Sequence, residues 1–193
     1  MSTTSQRSVI VSDPPNEPLT LQEAKAHLSI SPNDATDDGY LRGLITASRQ
    51  EWEDDTQSLT VTRTVVEKLP SLPVAGVWRF CYRPVESITS ITYYDSSNNQ
   101  QTLDSASYEL DAYNRYVWYA SGTTLPTTYS RWDAVTVTNV SGAVIPTEVS
   151  KHYIKLKVGI SYQMEGFASP QKIDLWIRAY EAGVRKYSRA SYY

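Results

Sequence analysis

Leu59-Thr-Val-Thr-Arg-Thr-Val-Val-Glu-Lys68 is the stretch at which the chain changes its period. β-branched residues crowd it, which marks a strand. Just upstream, Leu41, Leu44, Ile45, Ser48 and Trp52 recur at i, i+3, i+4, i+7 and i+11, a single helical face that stops near Asp55-Thr56. The switch from one period to the other predicts a helical segment handing over to a sheet.

Working backwards, Thr20 and Glu23 have the spacing of a capping box, in which each side chain satisfies an orphan amide of the first turn. A short helix follows, with Leu21, Ala24 and Leu28 on one side and Pro32 closing it. Before it, Ser12-Asp-Pro-Pro-Asn-Glu-Pro18 is an arm whose prolines forbid a helix. Working forwards, Val77–Tyr82, Ser87–Tyr94, Tyr108–Leu110, Arg115–Tyr119 and Ala134–Val140 read as strands. Asp95–Asn99 is a turn, and Thr123–Ser130 a polar loop. Helix returns at Pro146, since proline at the first helical position lacks only an amide that would be unpaired there. Val149, Tyr153, Leu156, Ile160 and Met164 mark one face of that helix. Gly166 breaks it, and Ser169-Pro170 opens another with the stripe Ile173, Trp176, Ile177, Tyr180, Val184 and Tyr187. Neither helix pair is long enough to be stable alone. The expected fold is therefore α+β: a four-helix core drawn from both termini with an inserted antiparallel β lobe. Its parts are residues 1–58 (arm and first helices), 59–145 (β lobe) and 146–193 (last helices and tail).

Composition narrows the function. At 193 residues with 40% apolar content and five Trp, the chain can bury a core. A net charge of −3 gives no electrostatic reason for tight nucleic-acid binding. Cys81 is alone, so no internal disulfide forms, in keeping with a reducing compartment. The polar start lacks a secretory core and no apolar run approaches a membrane span, so synthesis and assembly in the cytoplasm and no membrane partner are expected. Tyr is abundant at 15 and Phe scarce at 2, which suits half-buried strand faces and interfaces.

No chemistry-bearing motif emerges. His27 and His152 belong to no metal-ligand spacing, and His27 lies where a cation favours a helix end. Cys81 lacks a base and reads as a small buried hydrophobe. There is no phosphate loop, nucleophile elbow or Walker motif, and the glycines read as turn and helix-end residues. No catalytic residue, cofactor or metal is expected, and enzyme is the least supported class. Two charged clusters remain. Glu51, Glu53, Asp54 and Asp55 crowd a helix C-terminus, where the dipole disfavours each anion by roughly 0.3–1 kcal/mol. A compensating basic surface on another subunit is the expected explanation. Lys172, Arg178, Arg185, Lys186 and Arg189, with Tyr192 and Tyr193, form a basic and aromatic end, of the residue types enriched in binding hot spots.

Glu17-Pro-Leu-Thr-Leu-Gln-Glu-Ala-Lys-Ala-His-Leu28, Asp37-Asp38 and Tyr40–Arg49 resemble the phage head–tail connector (adaptor) family. So do Arg83–Asp95, Tyr108–Asp111, Asp133–Gly142 and the return to helix at Pro146. The likeness runs from about Glu17 to Met164, and its motifs are packing and turn patterns. Arg115–Arg131 is longer and more aromatic than the family pattern, and the tail after Ala168 matches only in being helical. The resemblance implies a ring of identical subunits, commonly twelve, in the neck of the virion. That ring sits beneath the portal protein and meets a stopper or tail-completion protein, and DNA passes through its centre without sequence-specific binding. It implies that the basic helix and tail reach the portal. In such a ring the acidic cluster of one subunit would face basic groups of the next. Two other readings stand beside it. A stopper-like neck protein would be β-dominated, without flanking helix pairs. A sugar-binding β module would use Trp78, Tyr82, Tyr93, Tyr94, Trp118 and Tyr119 as a stacking platform.

Overall fold

A computed structural model describes residues 7–10, 12–73, 77–111, 116–142, 147–163 and 170–189. The fold is α+β and divides into two compact units, Pro15–Val61 with Ala143–Tyr193 and Met1–Pro14 with Thr62–Gly142.

The first unit is helical: α1 (Leu21–Leu28), α2 (Asp38–Thr56), α3 (Thr147–Gln163) and α4 (Pro170–Arg189). The capping box forms, with Thr20 Oγ1 accepting from the Glu23 amide at 3.2 Å and Glu23 Oε2 accepting from the Thr20 amide at 2.8 Å. α1 and α2 each end on a left-handed residue, Ser29 (φ 60°) and Gln57 (φ 52°). The turn between them is held from inside by Lys25, only 2% exposed. Its ammonium donates to the Pro32 and Asp34 carbonyls at 3.4 and 2.7 Å and lies 2.5 Å from the Asp38 carboxylate.

All four helices share one core: Leu19, Ala24, Ile45, Trp52, Ile154, Val158, Ile160 and Tyr180 are buried together. The α2 and α4 stripes read from the sequence face it. The α3 stripe does not describe its helix fully: Ser150, Ile154 and Val158 form a buried row beside it. The reason is that α3 packs against α1, α2 and α4, so its apolar side chains are spread around the helix. Four glycines lie within helices, Gly39 and Gly43 in α2, Gly159 in α3 and Gly183 in α4, contrary to the turn-and-end reading, and the last two meet neighbouring rings. A Cβ at Gly159 would come within 2.7 Å of the Trp176 ring, and one at Gly183 within 2.1 Å of the Tyr153 ring. Both let α4 approach α3 more closely than any side chain permits.

The second unit holds two antiparallel sheets. One has the order β1 (Arg7–Ile10), β2 (Arg63–Leu69), β8 (Val135–Ser141), β4 (Val85–Tyr94), β5 (Gln100–Thr102). The other has β3 (Val77–Arg79), β7 (Tyr116–Tyr119), β6 (Tyr108–Leu110). β2 and β8 alternate strictly between buried and half-buried positions, as a half-covered sheet requires. Register shifts in β4 between Val85 and Ser87 and between Ile88 and Ser90 break that rhythm. Leu69, Val85, Ile91, Val135 and Val137 of the first sheet share a core with Val117 of the second. Besides Val65, the remaining inward positions of β2 and β8 are polar: Arg63, Glu67, Asn139 and Ser141. Fully buried Glu67 accepts the Cys81 amide at 3.0 Å.

The N-terminal arm departs from the expected division. β1 pairs with β2 from Arg7 opposite Lys68 to Ile10 opposite Val65, which puts residues up to Pro14 in the β unit and not in the helical core. The β insert runs from 62 to 142 and not from 59 to 145. Thr60 stays with α2 because its amide and hydroxyl both donate to Glu53 Oε1, at 2.8 and 2.6 Å. Pro146, Met164, Gly166 and Ser169 lie outside the described residues.

Candidate functional site

The acidic cluster is largely consumed inside its own unit. Glu53 is 2% exposed and cannot face another subunit, which corrects the contact expected of it. Its Oε2 accepts from Arg49 Nη1 at 2.8 Å, and Arg49 in turn donates from Nε to Glu17 at 2.7 Å. Burial alone would lower the Arg49 pKa, but the bonds to Glu17 and Glu53 outweigh it and hold the guanidinium above its ordinary value. Glu51 pairs with Lys157 of α3, and Asp55 accepts from the Tyr180 hydroxyl at 3.2 Å. The unfavourable dipole at the end of α2 is thus offset within the chain. Glu51, Asp54 and Asp55 are exposed.

The basic cluster lies along α4 with Lys172, Arg178, Arg185 and Lys186 all exposed. Lys172 lies over the Trp176 ring at 4.8 Å and Lys186 over Tyr187 at 5.3 Å. Arg178 pairs with Asp174 at 2.8 Å. Between them Leu175 is 65% exposed, an apolar residue at the centre of a charged face. Arg189 closes the helix, with its side chain outside the description, and Tyr192 and Tyr193 lie beyond the described residues.

His27 is no helix-end cation. Its ring lies 5.4 Å from that of Trp176, and its buried Nε2 has no hydrogen-bond partner among the described residues. Burial first, and then Lys155, His152 and Lys172, push its pKa below the ordinary 6.5. The unfolded chain therefore binds a proton there before the folded one does. The stability this neutral ring contributes is complete above about pH 6.5 and is lost as pH falls through the folded value. Between pH 7.5 and 5.0 the thermal midpoint is expected to fall further for the wild type than for His27→Gln. Equal falls in calorimetry would remove His27 from the account. His152, by contrast, is exposed, with its ring edge-on to Tyr153 at 5.2 Å.

The aromatic platform dissolves. Tyr93 and Tyr119 pack against the β core, and burial raises the Tyr119 hydroxyl well above its usual range. Trp118 is 48% exposed, while the Trp78 side chain lies outside the description. What the sequence reading missed is the next loop, where Tyr129 and Trp132 stand 42% and 54% exposed. The loop is braced from several sides. Tyr129 donates its amide to the Tyr94 carbonyl at 2.9 Å, and Thr128 bridges Asp95. Arg131 forks onto Asp133 at 2.6 and 3.0 Å, with its guanidinium 4.1 Å above the Tyr94 ring. Lys68 of β2 sits 5.4 Å over the Trp132 ring and 4.0 Å from the Asp133 carboxylate. The available signal was Ser130-Arg-Trp-Asp133 itself, a Trp between opposite charges just before a strand.

In the helical unit an open groove of about 600 Å³ is lined by Asn16, Glu17, Leu19, Thr20, Leu21, Arg42, Ile45 and Thr46. Leu19 and Ile45 are buried at its floor, and Arg42 is exposed at its rim. Among the described residues no group of three His, Cys, Asp or Glu could hold a metal ion, and no helix is long and apolar enough to cross a membrane.

No family model and no curated protein sequence matches the chain. Its fold is similar to chains in solved structures of gene transfer agent particles. One, from the virion of a native particle, superposes with a TM-score of 0.68 at 18% identity, covering 90% of this chain and 94% of that one. A second, from the neck of an empty particle computed with C6 symmetry, gives 0.67 at 17% identity over 90% and 94%. A third, from the neck of a native particle computed with C12 symmetry, gives 0.60 at 20% identity over 88% and 94%. At these identities the likeness establishes the fold.

Proposed function

We propose that this chain is a structural subunit of the neck of a tailed, phage-like particle, acting as the adaptor ring that joins head to tail. The observation that carries the reading is the fold shared with chains of particle necks over about nine-tenths of the chain, a span that takes in both the helical unit and the β insert. The symmetry of those necks supports a ring, with twelve subunits as the number to test. The presence of a four-helix unit favours an adaptor over a stopper-like neck protein of the β-dominated kind. DNA would pass through the ring without base-specific contacts, as suits a chain of net charge −3.

Within this reading α4 offers its outward face, Leu175 flanked by Lys172, Arg178 and Arg185, to the portal. Arginine beside an exposed apolar residue is the hot-spot combination of protein interfaces. The β unit is left for the tail-side neighbour. The test is particle assembly without this chain. DNA-filled heads and separate, complete tails are expected in electron micrographs. Normally joined particles would overturn the proposal. Because Tyr187 packs onto Trp52, a portal-docking variant should reverse Arg178 and Arg185 and leave Tyr187 in place.

A further inference from the structure

We propose that Lys155 and Lys172, with His27 and His152 beside them, form the seat for an acidic segment of the portal. The inference deepens the portal-docking reading of α4 and rests on it. Three helices assemble the patch. His152, Lys155 and Gly159 stand at i, i+3 and i+7 on one face of α3. Gly159 leaves room there for two rings: a Cβ on it would lie 2.7 Å from the Trp176 ring of α4 and 3.1 Å from Nε2 of His27, at the end of α1. Lys172 lies over that same Trp176 ring at 4.8 Å. The groups whose charge acts on His27 are accordingly Lys155, His152 and Lys172.

What sets this spot apart is the missing counter-charge. Among the described residues no carboxylate pairs with Lys155, Lys172 or either histidine. The acids nearest to them in sequence are engaged by other cations, Glu23 and Glu148 by Lys151 at 3.0 and 3.6 Å and Asp174 by Arg178 at 2.8 Å. One turn along α1 and α3 from the Glu23–Lys151 pair stand His27 and Lys155, so an ion pair is followed by two basic groups. Like charges gathered in this way repel, and a carboxylate brought from outside relieves the repulsion. Lys172 also sits one turn before Leu175, which is 65% exposed, so the cationic patch runs into the apolar part of the α4 face. An acidic segment carrying an apolar side chain meets both. Duplex DNA calls for an extended row of cations, whereas this patch offers two lysines on a chain of net charge −3.

The test has two arms, both on the full chain. In the first, a hexaglutamate peptide and its hexaglutamine counterpart are titrated at low salt and followed by heteronuclear NMR. Only hexaglutamate is expected to move the Trp176 indole signal and the ring signals of His27 and His152. Lys155→Glu combined with Lys172→Glu should weaken its binding by about tenfold or more, since two charge contacts are reversed at once. Neither lysine belongs to an ion pair, so the thermal midpoint should hold, and Lys155→Gln with Lys172→Gln should give a milder loss in the same direction. Arg42→Glu, at an exposed position on α2, should bind as the wild type does. Signals that stay in place, an equal loss in Arg42→Glu, or short duplex DNA bound more tightly than the peptide would each end the proposal. In the second arm the Lys155→Glu, Lys172→Glu chain replaces the wild type during particle assembly, and heads and tails are expected to remain apart. Normal joining would rule out the portal seat and leave the adaptor reading standing, because that reading is decided by assembly without the chain.

Discussion

Glu53→Ala is expected to destabilise the helical unit by about 3–5 kcal/mol, the range seen when one partner of a buried ion pair is removed. Glu53 and Arg49 are both within 3% of full burial on α2, one turn apart. The substitution strips Arg49 of one of its two carboxylates and leaves only half-buried Glu17. It also deprives the Thr60 amide and hydroxyl of their acceptor, so the exit from α2 into the β insert loses its anchor. An unsatisfied buried donor costs about 1–3 kcal/mol in its own right. Glu51→Ala and Asp54→Ala remove charges from the same cluster at exposed positions, and about 0–1 kcal/mol is expected for each. Urea denaturation of the three variants, followed by far-ultraviolet circular dichroism, separates the cases. If Glu53→Ala unfolds at the midpoint of Glu51→Ala, the buried network is not what holds this end of α2.

The same residue shows what a sequence can and cannot deliver. Helix α2 was legible because Leu41, Ile45 and Trp52 repeat at helical spacing, and α1 because Thr20 and Glu23 are a local, three-residue signal. Charge carries no such directional information. Glu51, Glu53, Asp54 and Asp55 look alike in one dimension, and only the cation one turn back, Arg49, marks Glu53 as the inward one. Other misses have the same origin in tertiary contact. Gly159 and Gly183 are interhelical spacers, which no local rule separates from helix breakers. α3 carries apolar groups around much of its circumference because it touches three helices, so a single stripe under-describes it. β5 is Gln100-Gln-Thr102, exposed throughout, with nothing apolar to announce a strand. The turn before it was legible, since Asp95 Oδ1 accepts the Ser97 and Asn99 amides and Asn98 takes φ 62°. Of the two exposed surfaces described above, α4 was visible as a basic amphipathic helix. The Trp132 loop was not, because its exposure depends on how β8 begins and on Lys68 reaching across from β2.

Trp52→Ala should cost the helical unit about 3–5 kcal/mol, the usual range for removing a large buried aromatic. Trp52 is fully buried, its ring stacked on Tyr153 of α3 with centroids 4.8 Å apart and planes 7° from parallel. Tyr180 and Tyr187 of α4 meet it edge-on at 6.0 Å each. One indole therefore joins the hairpin from before the β insert to the hairpin from after it. Aromatic pairs of this geometry contribute about 0.5–1.5 kcal/mol each beyond the area they bury. The site has little means of collapsing around alanine. Gly183 already presses α4 against Tyr153, with no room even for a methyl group, so the Tyr153 ring cannot slide towards α4 to fill the void. Trp52→Phe is the informative companion. It keeps a ring in the stack and gives up an indole N–H that has no partner among the described residues, so no hydrogen bond is lost with it. Its cost should be well below that of alanine. If urea midpoints place the two variants together, the stack contributes nothing specific, and the helices are held by general apolar burial alone. A large separation assigns the joint between the two hairpins to this indole.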